Sequence, residues 1–392
     1  MAARRNERRT PAFYPTMMDG SAAPPTVFPH AARTLTAVTV DSYNEELREA
    51  EGFVGDRASG RAFRKILDRC RAELEEKGHE DPLGDAASRE ISKSKLDKIL
   101  NGKDALAAGV VHTAVEEFGQ ELAEVIRRFL QLEVWAKTER IVVGGGLIAS
   151  HIGQLAIGRA SVLVADVSPV KLSAIGNHPD DAGLVGAVQL APSWVLDGHE
   201  AILAADIGGT NMRAGLIRFK VKNAEVSKAE VVKRLHWRHA DDKPTREEAV
   251  DRLVAMLREM ADHAVVEKLK LAPFVGVACP GLIDEHGVIQ RGGQNLPGNW
   301  EGEDFNLAGT VAQKLGRIGG HEPAVIMHND AVVQGLSEVP NMRDVENWAV
   351  LTIGTGLGNA HFTNRHPEGA DEEGRKAKKA KKKDKEVAGE DS

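Results

Sequence analysis

Asp206 ends the apolar run AILAAD, immediately before Gly208 and Gly209. Glycines lack a Cβ, so backbone N–H groups around them can close on an anion. Thr210 and Asn211 add side-chain donors and Arg213 a fixed positive charge, so DIGGTNMR reads either as a phosphate cradle or as an ordinary hairpin. A carboxylate beside phosphates holds Mg²⁺, usually through water, which makes Asp206 the candidate metal contact. A second hairpin, IGTGLG at 353–358, repeats the design, with Gly354, Gly356 and Gly358 flanking Thr355. Two such loops at facing strand ends could clamp the β- and γ-phosphates of a nucleotide from both sides.

Two weaker signals accompany them. Gly144, Gly145 and Gly146 follow the apolar run RIVV and offer flat backbone for a base or ribose, or simply a strand-to-helix turn. The tripeptide HND at 328–330 follows AVIM. Asp330, at the carboxyl end of a strand where ligand clefts form, suits a general base, while a helix N-cap at Asn329 or Asp330 would explain the same letters.

The elements needed to position these residues are legible in outline. Residues 1–33 are rich in Arg, Pro and Ala without periodicity and read as a flexible leader. Alternation at 34–40 predicts a strand, and amphipathic spacing predicts helices over 61–77 and 104–131, the latter capped by Asp104. RIVVG and SVLVAD read as strands around a helix at 151–159, and DDAGLVGAVQLAPSW as a helix. Strand–turn–strand patterns fall at 201–219 and 348–362, with helices at 246–269, near 307–316 and from 330, and strands at 274–279 and 324–328. Strands alternating with helices indicate an α/β protein.

The chain of 392 residues is long enough for two domains. It is 42% hydrophobic and 28% charged, ordinary for a globular protein, and no apolar run reaches the roughly 18–20 residues that span a bilayer. The two cysteines, Cys70 and Cys279, are too few for a disulfide framework or a zinc site of cysteines. No apolar segment follows the basic start, so a secretory signal is not expected and a cytoplasmic location is. Net charge is −7, yet 375–385 (RKAKKAKKKDK) concentrates eight Lys/Arg in eleven positions. Without interleaved aromatic residues this reads as a solvated, disordered tail over 367–392, dispensable for stability and activity, and no nucleic-acid partner is expected.

Taken together, the motifs resemble those of the actin-like ATPase superfamily and, within it, the ROK sugar kinases. DIGGTNMRAG is similar to the first phosphate motif and LTIGTGLGNA to the second. GVACPGLIDEHGVI and QNLPGNW resemble the small-domain signature and the sugar loop. NDAVVQGLSE resembles the first connecting helix, DDAGLVGAVQLAP the second, and RIVVGGGLIAS the adenosine motif. The resemblance covers roughly residues 85–363, but its order is unusual, because the adenosine motif and second connecting helix come first. It implies an α/β, two-domain actin-like ATPase (ribonuclease H-like) fold with an interdomain cleft, circularly permuted, its old ends joined through 196–200. The expected division is a large domain at 34–180 completed by 343–366, and a small domain at 181–342.

By that resemblance the function is ATP-dependent, glucokinase-like phosphorylation of a hexose hydroxyl. Asp330 would be the catalytic base and Asn295, Asn329 and Asp330 would hold the sugar. Asp206 would position Mg²⁺ through water. ATP would be held by Asp206, Gly208, Gly209, Thr210, Asn211, Arg213, Gly354, Thr355, Gly356 and the Gly144–Gly145–Gly146 turn. The resemblance has a gap: the family's Glu-x-Gly-His sugar contacts and its cysteine-rich zinc loop have no counterpart, so no zinc is expected. Glu76-Lys77-Gly78-His79 matches the letters but ends a helix, with Gly78 as its C-cap. His178 and His361 have no neighbours at metal-ligand spacing. The gap leaves a non-catalytic nucleotide or sugar sensor as the alternative. A DNA-binding repressor is not expected, since 1–60 shows no helix-turn-helix. The expected partners are sugar and ATP, with no membrane, and the same reading admits a homodimer.

Overall fold

A computed structural model describes residues 27–365, apart from 51, 223 and 303. The basic run at 375–385 and most of the leader lie outside the described residues.

The chain enters through β1 (Val38–Tyr43), then a two-residue hairpin, β2 (Arg48–Glu49) and β3 (Gly52–Phe53). Three helices follow. They are α1 (Gly60–Glu76), capped by Ser59, α2 (Lys93–Leu100), capped by Ser92, and α3 (Ala105–Leu130), where the Asp104 carboxylate accepts from the Leu106 and Ala107 N–H groups. β4 (Arg140–Gly144), α4 (His151–Ala165) and β5 (Lys171–Ala174) come next. SVLVAD is therefore not a strand: it is the last stretch of α4, and Val162 is 60% exposed on its outer face.

α5 (Pro179–Gly186) and α6 (Ser193–Leu196) lead to the long hairpin β6 (Ala201–Ile207), β7 (Met212–Lys222) and β8 (Glu225–Trp237). The predicted helix over DDAGLVGAVQLAPSW is broken into α5, a 3₁₀ turn and α6 around Pro192. After α7 (His239–Asp242), Thr245 and Glu248 form a reciprocal capping box that starts α8 (Arg246–Val266). The remainder is β9 (Leu271–Cys279), the small hairpin β10 (Leu282–Ile283) and β11 (Ile289–Arg291), α9 (Leu307–Leu315), β12 (Ala324–Asn329), α10 (Asp330–Leu336), β13 (Asn347–Ile353) and β14 (Leu357–Asn364). No described helix is long and apolar enough to cross a membrane.

Two five-stranded sheets organise these elements, in the orders β12-β9-β6-β7-β8 and β5-β4-β13-β14-β1. Their polarity is the same. A central strand (β6 or β13) pairs antiparallel with its hairpin partner on one side and parallel with β9 or β4 on the other. The third strand of each meander is antiparallel and the outer strand parallel. In the second sheet that third strand is β1, so the beginning of the described chain closes a sheet whose centre lies about 300 residues later, with Val40 opposite Phe362. Residues 27–33, read from sequence as leader, are packed: the Ala31 N–H donates to Met327 O (2.8 Å), and the Met327 N–H to His30 Nδ1 (3.1 Å). These bonds cover the free edge of β12.

Candidate functional site

The strand ends that carry the glycine turns converge on a cavity of about 940 Å³, lined from both sheets. Asp206, near the end of fully buried β6, is only 5% exposed. Gly183 of α5 lies against it: a Cβ there would stand 2.8 Å from Asp206 Cγ. Arg213, cross-strand from Asp206 in the β6–β7 pair, donates from Nη1 to Asp206 Oδ2 (3.1 Å) and from Nη2 to Asp180 Oδ1 (2.6 Å). Arg213 lines the cavity, but its guanidinium is engaged by two carboxylates rather than left free for phosphate. Burial pushes the Asp206 carboxyl up, and Arg213 pulls it part of the way back.

The turn between β6 and β7 is held from behind. The Gly208 N–H donates to Asn211 O (2.9 Å), His239 Nε2–H donates to Gly208 O (2.8 Å), and His236 Nε2–H donates to Asn211 Oδ1 (2.9 Å). Gly208, Gly209, Thr210 and Asn211 all line the cavity. The β13–β14 turn carries Gly354, Thr355, Gly356 and Gly358 into the same cavity and closes with Gly354 N–H to Gly356 O (2.9 Å). The N-terminus of α1 abuts this turn, with Gly60 N–H donating to Gly354 O (2.9 Å).

Gly145 must be glycine. Its φ is +93°, and a Cβ would stand 2.3 Å from Ile353 O, backbone that cannot step aside. Gly145 and Gly146 line the cavity beside the second hairpin; Gly144 faces Ile175 and Gln334 behind it. Lys93 of α2 donates to Gly146 O (2.6 Å). With Arg61, Arg64, Lys65 and Arg89 it forms a cationic wall of the cavity. Burial lowers the Lys93 and Arg64 pKa values, Asp180 and Asp68 offset part of this, and an anion in the cavity would relieve more of it. Nothing in the spacing of these cations marked them in the sequence.

Asp330 opens α10 and faces the cavity; its Oδ1 accepts the Ala331 N–H (2.9 Å). Surrounding protein and the nearby Asp206 charge push its carboxyl up to about 6, into the range where a base can exchange protons near neutrality. Asn295 also lines the cavity, packed on Gly209, where a Cβ would stand 2.7 Å from Asn295 Cβ. Asn329 does not face the cavity. It is 2% exposed, caps α10 through Oδ1 to the Ala331 N–H (3.0 Å), and donates from Nδ2 to Gly281 O (3.0 Å). Both polar ends are engaged, one Nδ2 hydrogen being left over.

Glu76-Lys77-Gly78-His79 closes α1, with the Gly78 and His79 N–H groups on Glu75 O and Leu74 O. His178 caps α5, and His361 pairs with Asp41 (2.8 Å) inside the second sheet's core. No cluster of three or more His, Cys, Asp or Glu suited to a metal occurs among the described residues.

Two sheets of one order facing across a cavity lined by glycine hairpins define an actin-like ATPase fold. Residues 202–371 match the model of the ROK family. Glucokinase of Thermotoga maritima is 26% identical over 165 residues, 42% of this chain and 44% of that protein. The chain thus spans less than half the length of this curated relative. Among solved structures, a ROK hexokinase from Thermus thermophilus is 25% identical over 41% of this chain and 45% of that one, with a TM-score of 0.26. A ROK glucokinase from Streptomyces griseus, in complex with glucose and AMPPNP, is 22% identical over 42% and 46%, with a TM-score of 0.31.

Proposed function

We propose that this chain is an ATP-dependent sugar kinase that moves the γ-phosphoryl group of ATP to a hexose hydroxyl. The observation that carries the reading is Asp330. It is a carboxylate raised to about 6, facing one cavity that both glycine hairpins also line. The triphosphate lies between the hairpins, its charge met by backbone N–H groups, Thr210, Thr355 and the cationic wall. Asp330 accepts the hydroxyl proton as the sugar oxygen attacks the γ-phosphorus and ADP leaves. The residues present suit Mg²⁺: Asp206 Oδ1 carries no hydrogen bond to a described residue, and the carboxylates of Asp206 and Asp330 repel each other in a way a cation would relieve. Bound there through water, Mg²⁺ would neutralise charge developing on the phosphates.

The same reading extends to the chain order. Both sheets share one connectivity once β1 is placed after β14, and the family match begins at 202, next to β6. We take this as support for a circular permutation, with one lobe at 34–180 plus 343–366 and the other at 181–342. The lost Glu-x-Gly-His segment favours one second reading, a sugar or nucleotide sensor without turnover. A coupled ADP-release assay with Mg-ATP over a panel of hexoses and amino sugars separates the two. Sugar-dependent ADP release that Asp330→Asn reduces about 100-fold or more supports the kinase. ATP binding without release on any sugar overturns it.

A further inference from the structure

Resting on the kinase reading, we propose that Asn44 supplies the sugar contact that the missing Glu-x-Gly-His segment would make, and that the acceptor is an uncharged hexose. Asn44 follows β1 directly and lines the cavity. Its neighbours fix where it stands. Tyr43 Oη–H donates across the cleft to Ile283 O (3.1 Å), and Glu46 pairs with Arg291 (3.5 Å). Between those two crossings, Asn44 is held opposite the Gly281–Gly292 wall, the wall that Asn329 ties to the start of α10 and hence to Asp330.

The backbone there is rigidly seated. The Asn44 N–H donates to Asn359 O (3.0 Å), the Glu45 N–H to Asn359 Oδ1 (2.9 Å), and Asn359 Nδ2 returns a bond to Glu45 O (3.0 Å). Asn44 has φ of +54°, a conformation asparagine tolerates better than most residues. Its own amide is not used: among the described residues it makes no hydrogen bond. A seated backbone with an idle amide facing a cavity leaves one donor pair and one acceptor for a ligand.

The chemistry of this end sets the class of acceptor. Asn44, Pro280, Gly281, Gly292, Asn295 and Leu296 line the cavity with Asp330, and the polar side chains among these six are two amides. Arg291, next to Gly292 in sequence, is paired with Glu46. A ring carboxylate would meet Asp330, a like charge, while a ring ammonium would pair with Asp330 and weaken it as a base; neutral hydroxyls match the amides without either conflict.

The test uses Asn44→Gly, which keeps the left-handed backbone and removes the amide, with Asn44→Asp to change its donors. Steady-state kinetics on glucose, mannose, glucosamine and glucuronate are read alongside thermal stabilisation by each sugar. Expected is turnover of a neutral hexose. In Asn44→Gly its KM should rise about five- to tenfold, while the KM for ATP, kcat and melting temperature stay within twofold or a degree or two. An unchanged hexose KM, or preference for a charged sugar, overturns the assignment. A wild type stabilised by hexose but not turning it over, with stabilisation lost in Asn44→Gly, keeps the assignment and overturns the kinase reading. No response to any sugar overturns both.

Discussion

The two sheets have one order and one polarity but are assembled from different lengths of chain. β6 to β12 run continuously from 201 to 329, whereas the second sheet gathers β1, β4, β5, β13 and β14 from both ends of the described chain. Their hairpins differ in a parallel way. The turn at 208–211 adds to its own backbone bond two histidine side chains, His236 and His239, and leads into Arg213, whose charge network ties Asp206 to Asp180. The turn at 354–356 is held, among the described residues, by backbone, with Gly60 and Gly145 allowing close approach. A turn fixed by charges can be loosened one interaction at a time; a turn fixed by contact of main chains tolerates no added atom.

The largest break expected is Gly145→Val. A left-handed φ and a 2.3 Å approach to Ile353 O together should cost roughly 4 kcal/mol or more. Thermal melts should show a loss of well over ten degrees or failure to fold, and a near-wild-type melt would remove the main-chain account of this turn. In the other hairpin, Arg213→Met strands buried Asp206 without its cation, a loss of about 3 kcal/mol on the scale of broken buried pairs, while Asp180 keeps Arg234 (3.7 Å). That loss should shrink as pH falls and the carboxylates protonate; urea titrations at two pH values measure it.

Asp330→Asn pulls stability and activity in opposite directions. A folded pKa of about 6 against an ordinary 3.8 means the native state holds the proton more tightly, so ionisation above pH 6 costs stability and the cost disappears as pH falls toward 4. The variant should therefore melt a few degrees higher at about pH 7.5, and no higher at pH 4, while turnover falls about 100-fold. In the wild type, kcat/KM should decline below pH 6. A flat profile would assign Asp330 to capping alone. The smallest effect belongs to Ser59→Ala, which removes the N-cap whose Oγ accepts the Ala62 N–H (3.1 Å) at the α1 end touching the second turn. It should cost about 1 kcal/mol, visible in the melting temperature.

What the sequence disclosed follows the same divide. β6, β9, β12 and β13 are almost wholly buried, so their apolar runs stand out, and the capped helices α1 and α3 show clean periodicity. β8 went unread because it is a half-exposed edge with two bulges against β7, which scramble its alternation. SVLVAD misled because a short apolar run does not distinguish a strand from the end of a buried helix. At the site, glycine and carboxylate motifs pointed to the cavity, but Lys93, Arg64 and Asn44 come from elements joined to it only by tertiary contacts. The letters of Asn329 suggested a ligand contact, yet its side chain is engaged by a cap and by Gly281 O.

The pairing of β1 with β14 also sets a timetable for synthesis. Asp41 and its partner His361 are 320 positions apart, and at about 5–20 residues per second the ribosome needs roughly 20–60 s to pass from one to the other. Throughout that interval β1 lacks β14, the strand it pairs with, while β6 to β12 have already been made. In the growing chain, the edge of β1 that β14 later covers therefore stays open until the last strand of the sheet has been made.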